Sequence, residues 1–79
     1  MKIYTINDKN QIIDEIWKNR NAQDFLDFAF CEAVFCGGGV ARFQKILERQ
    51  NFFCDFALAS FLFKVVKIVN QKRIEKAGV

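Results

Sequence analysis

The chain has 79 residues, a formal net charge of +3 and an apolar content of 52% that includes ten Phe. Chains divide into separate cores only at roughly 200 residues or more, so the length predicts a single domain over residues 1–79 and excludes a second one. The apolar content excludes a disordered chain, and the small charge excess is not the polybasic composition of many nucleic-acid-binding proteins.

The N-terminal residues predict a short extended segment followed by a first helix. Residues 2–6 alternate weakly between apolar and polar side chains, as in a strand, and the apolar stretch 65–69 is the partner that the sequence offers. Asn7 or Asp8 then provides a cap for a helix that runs to about Arg20. Its apolar positions recur at helical spacing: Ile12, Ile13, Ile16 and Trp17.

The second helix is predicted over residues 22–36, with signals at both ends. Asn21 and Asp24 have the spacing of a capping box, and Gly37 can adopt the left-handed conformation that ends many helices. Apolar residues lie almost all round this helix, so we expect it at the centre of the fold. These residues are Phe25, Leu26, Phe28, Ala29, Phe30, Ala33, Val34 and Phe35.

Two more helices are predicted after the glycine run at positions 37–39. The third covers residues 40–50 and the last covers residues 52–76, with Asn51 as the cap of the last one. An apolar stripe on the last helix faces the core: Leu58, Phe61, Leu62, Val65 and Val69.

The predicted fold class is all-α, a compact four-helix bundle with room for a short extended N-terminal segment. The alternative is an α+β fold in which residues 2–6 and 65–69 form one small two-stranded element. Residues 52–69 have the length of a membrane span, but they contain Asp55, Lys64 and Lys67. Each charge near the bilayer centre costs at least about 2.5 kcal/mol, so no membrane contact is expected.

The chemistry-bearing residues predict no catalytic, cofactor or metal site and no small-molecule substrate. The chain contains no His, which excludes Ser-His-Asp and Cys-His arrangements and removes the commonest proton-transfer residue near neutral pH. The carboxylates lie in first helical turns or on outward faces, where the helix dipole and solvent explain them. We therefore expect a protein that is not an enzyme.

The three cysteines predict a reducing, cytoplasmic location. Cys31, Cys36 and Cys54 are odd in number and have no CxxC spacing, so neither a disulfide framework nor a zinc site is indicated. Cys31 and Cys36 are expected as buried small apolar residues. The N-terminus turns polar within a few residues and lacks the apolar core of a signal peptide.

A second apolar stripe on the last helix is the main functional signal. Phe56, Ala59, Phe63 and Val66 fall at positions i, i+3, i+7 and i+10, and one small core does not easily cover two stripes of the same helix. Either neighbours pack on both sides of this helix, or the second stripe is an interface with a second copy or another protein.

From the second stripe we predict a non-catalytic protein–protein interaction or inhibitor module, bound to a protein partner or homodimeric. In size and character the chain is similar to small phage-encoded inhibitors such as anti-CRISPR proteins, a likeness that covers no motif.

The alternative function is a small helix-turn-helix-like DNA-binding regulator. A helix, a short Gly turn and a second helix with Arg42, Lys45 and Arg49 on one face form the arrangement of such proteins. Base-reading residues are sparse, with Arg42 and Gln44 near the start of the second helix. The same three basic side chains also fit a solvated face that keeps the hairpin soluble.

Overall fold

The computed structural model describes the backbone of residues 2–77 and the side chains of residues 2–72. This part of the chain forms four α-helices and one parallel sheet of two short strands. The mainly helical fold with a short extended N-terminal segment is thus confirmed. In chain order the elements are β1 (Ile3–Tyr4), a short 3-10 helix (Ile6–Asp8), α1 (Lys9–Lys18), α2 (Arg20–Phe35), α3 (Gly39–Arg49), β2 (Phe53–Cys54) and α4 (Phe56–Ala77).

The partner predicted for the N-terminal strand is wrong. β1 pairs in parallel with β2, with Ile3 opposite Phe53, and residues 65–69 lie inside α4. The Tyr4 ring stacks on the Phe52 ring at a centroid distance of 5.1 Å, which fixes the strand beside its partner. Residues 53–54 can form backbone hydrogen bonds with β1 because the chain is extended between the end of α3 and the start of α4.

The helix caps predicted at Asn21 and Asn51 are also wrong. The side chain that caps α2 belongs to Asn19, whose Oδ1 accepts a hydrogen bond from the Asn21 backbone N at 3.0 Å. Asn51 has φ 64°, a left-handed conformation that leads the chain out of α3. Asp55 caps α4 instead, because its Oδ1 accepts a hydrogen bond from the Leu58 backbone N at 2.7 Å.

The turn between α2 and α3 follows the sequence prediction. Gly37, Gly38 and Gly39 all have positive φ, at 76°, 99° and 52°. L-residues with a side chain rarely adopt this conformation. The glycine run therefore ends α2 and lets α3 fold back against it.

The core lies around α4, which packs against both α2 and α3. The largest side chains that are fully enclosed are Phe43 and Leu47 from α3 and Leu58 and Leu62 from α4. On α2, the core positions include Leu26, Ala29 and Ala33. Since alanine has a small side chain, α2 can lie close to its neighbours, as in other tightly packed interiors.

Asp55→Ala is expected to lower the free energy of unfolding by about 1 kcal/mol, because α4 loses its N-terminal cap. Asp55→Asn is the matched control, since an asparagine side chain also caps helices and should retain most of the stability. Urea denaturation followed by circular dichroism measures both variants. Equal destabilisation by Ala and Asn would contradict a capping role.

Candidate interaction surfaces

The stripe predicted as an interface on α4 is divided between the core and the surface. Ala59 and Val66 are buried in the chain's own core, so their assignment to an interface is wrong. Phe63 is half-buried, and its ring centroid lies 4.8 Å from that of Phe30 on α2 and 5.5 Å from that of Phe43 on α3. Packing against α2 and α3 therefore accounts for most of the second stripe.

Phe56 is the exposed member of that stripe, with 59% of its surface in water. It is the first residue of α4, where the neighbouring helices do not cover its side chain. A single exposed aromatic residue at a helix end is ordinary on a small protein. Phe56 alone does not define a binding surface.

A larger apolar surface lies on α2, on the side that faces away from the core. Phe28 is 63% exposed and Phe35 is 87% exposed, and Asp24 and Cys31 are also exposed. At 3.6 residues per turn, Phe28 and Phe35 lie within about 20° of each other around the helix axis. We call Asp24, Phe28, Cys31 and Phe35 the outer face of α2.

Val34 extends the outer face of α2 at one edge, where 54% of its surface is exposed. The opposite side of the same helix carries Ala29 and Ala33, which are completely buried. α2 thus buries Leu26, Ala29 and Ala33, packs Phe25 and Phe30 against the core, and leaves Phe28 and Phe35 in water. This helix packs against α1, α3 and α4, as expected for a central helix, but the core covers only one of its sides and leaves those two phenylalanines in water.

The sequence pattern alone does not reveal this surface. A helix that is apolar all round is typical of a buried position, and the same pattern results when one face packs internally and the other is left for a partner. Only the tertiary packing separates the two cases, because it determines which side of the helix meets the core.

The basic side chains predicted as a nucleic-acid face do come together on α3. Arg42, Lys45 and Arg49 line one groove of about 300 Å³. Arg42 is also tied to the turn, because its Nε donates a hydrogen bond to the Gly37 carbonyl O at 3.1 Å. Glu48 is exposed on the same helix, so the surface of α3 carries both signs of charge.

Another groove, of about 330 Å³, lies where the junction of α1 and α2 approaches α3 and the segment before β2. Its apolar lining includes Ile16, Phe25, Leu47 and Phe52, and no residue that lines it is charged. This composition suits an apolar group rather than an ionic ligand. No small-molecule binding was predicted from the sequence at this place.

The cysteines differ in exposure, and the expectation that Cys31 and Cys36 are buried is wrong. Both are exposed, Cys31 on the outer face of α2 and Cys36 just after the helix, whereas Cys54 is buried. Burial raises the pKa of the Cys54 thiol to about 11, and the negative charges of Asp55 and Glu48 contribute to the rise. The buried thiol therefore stays protonated near neutral pH.

The described residues contain no group of three or more His, Cys, Asp or Glu side chains placed to hold a metal ion. Within the same part of the chain, no helix combines the length and hydropathy that a membrane span requires. The chain matches no known family model, and no curated protein or solved structure shows significant similarity to it.

Cys54 is expected to resist a thiol reagent at pH 8, whereas Cys31 and Cys36 react quickly.

The pKa of the Cys54 thiol is 9.0 in its ordinary state and about 11 in the fold, so the unfolded chain releases this proton first. The contribution of the protonated Cys54 thiol to the free energy of unfolding is therefore fully present below pH 9 and is lost as the pH rises through 11. Urea denaturation across this range should show a steeper loss of stability for the wild type than for Cys54→Ala.

Proposed function

We propose that the protein is a non-catalytic binding module that uses the outer face of α2 to occupy a surface of a protein partner. The observation that carries the proposal is the exposure of Phe28 and Phe35 on the side of α2 opposite its buried residues Leu26, Ala29 and Ala33. In an amphipathic helix that served only its own core, that opposite side would be polar.

The size of this surface supports a binding role. An aromatic side chain has roughly 150–250 Å² of surface, so the exposed fractions of Phe28 and Phe35 correspond to roughly 300 Å² of aromatic surface in water. Burying that area is worth roughly 7 kcal/mol before the costs of association. Apolar patches of this size on small proteins are often functional.

The charges around the face indicate what the partner offers. Asp24 belongs to the outer face, and Glu32 lies half-buried at its edge. A partner surface with an apolar centre and a positive rim is complementary to this arrangement. An inhibitor of this kind acts by covering a surface that another macromolecule needs.

The proposed location is the cytoplasm. Cys31, Cys36 and Cys54 are all free thiols, and exposed thiols such as the first two persist in a reducing compartment. A reducing compartment also suits the outer face of α2, because oxidation of Cys31 would place a polar group among the phenylalanines of that face.

Phe28→Asp and Phe35→Asp are each expected to weaken binding to the partner about 30-fold or more, because a charge enters the apolar centre of the contact. Both side chains are exposed, so the free energy of unfolding should change by less than about 0.5 kcal/mol. Phe56→Asp is the matched control, since it changes an exposed Phe away from α2.

The experiment captures partners from an extract of the source cells with the wild type and the three variants. Captured proteins are identified by mass spectrometry, and binding is then measured by calorimetry with the purified partner. Binding that survives both α2 changes, or that is lost equally in Phe56→Asp, contradicts the proposal.

Nucleic-acid binding by α3 is the second candidate, favoured by the groove that Arg42, Lys45 and Arg49 share. Three phosphate contacts predict that raising the salt concentration from about 50 to 200 mM weakens DNA binding roughly 40-fold. Changing all three residues to Glu should abolish binding in a fluorescence anisotropy assay. DNA binding that is absent, or insensitive to salt, rules out this candidate.

A further inference from the structure

We propose that the groove between the α1–α2 junction and α3 binds a small, neutral aromatic molecule with the size of two fused rings. We call it the junction groove, and its apolar lining includes Ile16, Phe25, Leu47 and Phe52. It shares no lining residue with the outer face of α2. The inference therefore goes beyond the proposed function and does not depend on it.

The junction groove reaches the core of the protein. Leu26, Leu47 and Leu62 line it, and each of them is at most 7% exposed. Because these side chains are almost fully enclosed, they form the floor of the groove. They come from α2, α3 and α4, so a molecule in the groove contacts three helices at once.

The packing next to this floor is incomplete. A smaller apolar depression of about 30 Å³ between α1, α2 and α4 shares Ile16, Leu26 and Leu62 with the junction groove. The same three side chains thus adjoin two unfilled spaces, whereas protein interiors are usually packed as densely as organic crystals. An apolar molecule in the groove supplies contacts that the chain itself does not make there.

The volume and the aromatic lining set the size and kind of the ligand. An apolar cavity of about 150 Å³ holds benzene, so the groove volume of about 330 Å³ has room for two fused rings. Phe25 and Phe52 both line the groove, and aromatic pairs are stabilised beyond the area that they bury. The Phe52 ring already stacks on Tyr4, which holds it in place for such a contact.

The polar side chains of the groove favour a neutral ligand with one hydrogen-bonding group. None of the described residues that line it is charged, and the polar ones are the amides Asn19, Asn21 and Gln50. All three are exposed, so they lie at the rim. A hydroxyl group on the ligand can form a hydrogen bond with an amide there, whereas an ionised group would find no opposite charge.

Two probes with the same ring system and different charge test the ligand class. The neutral 2-naphthol should bind the wild type at pH 7 with a dissociation constant of about 100 μM. The 2-naphthoate anion should bind at least about fivefold more weakly, because the groove offers it no countercharge. Isothermal titration calorimetry measures both. In NMR spectra, 2-naphthol should cause its largest shifts at Ala22, Leu47 and Phe52, which line the groove.

A substitution that fills the groove tests the site. Ala22 lines the groove and is half-buried, so Ala22→Leu should occupy part of the volume and weaken 2-naphthol binding at least about tenfold. Ala57→Leu is the matched control, since Ala57 is exposed on α4 and does not line the groove, and it should bind as the wild type does. Circular dichroism verifies the fold of both variants.

Four results would overturn the inference: no binding of 2-naphthol by the wild type at 1 mM, NMR shifts that fall outside the groove, equally tight binding of 2-naphthoate, or unchanged binding by a folded Ala22→Leu. The first three are measured on the wild type, so they decide the question even if Ala22→Leu does not fold. None of them involves Phe28 or Phe35, and the proposed function is therefore tested separately.

Discussion

The burial of one face of α4 determines the rest of this small structure. Leu58, Ala59, Leu62 and Val66 lie within about 100° of one another around the helix axis, and all four are buried. A chain of 79 residues has few elements to distribute, and α2 and α3 both pack against α4. α2 packs on its neighbours with one side, and among the described residues no element covers Phe28 and Phe35 on the other.

The exposed phenylalanines of α2 are therefore a consequence of where the core lies. Under the proposed function, stability and recognition belong to different sides of one helix, represented by Ala33 and Phe35, two positions apart. A change at Ala33 must fit a closed interior, whereas Phe35 is free to vary within the fold.

Much of the fold follows from the sequence, and the site does not. Helical periodicity and the glycine run give the four helices and the turn before α3. The N-terminal caps of α2 at Asn19 and of α4 at Asp55 are harder to predict. Asn21 and Asn51 are equally good capping residues, and the local sequence does not show which residue of each pair forms the cap. The surface on α2 depends on which of several apolar sides meets the core, a property of tertiary packing that periodicity does not contain.

The parallel pairing of β1 with β2 has a consequence for how the chain acquires its structure. Ile3 and Phe53 are fifty positions apart, so a ribosome must add most of the polypeptide before the early strand has a partner. Helical hairpins close much shorter loops and form sooner. The early strand can therefore dock only after α1, α2 and α3 have been synthesised, and Tyr4 then stacks on Phe52.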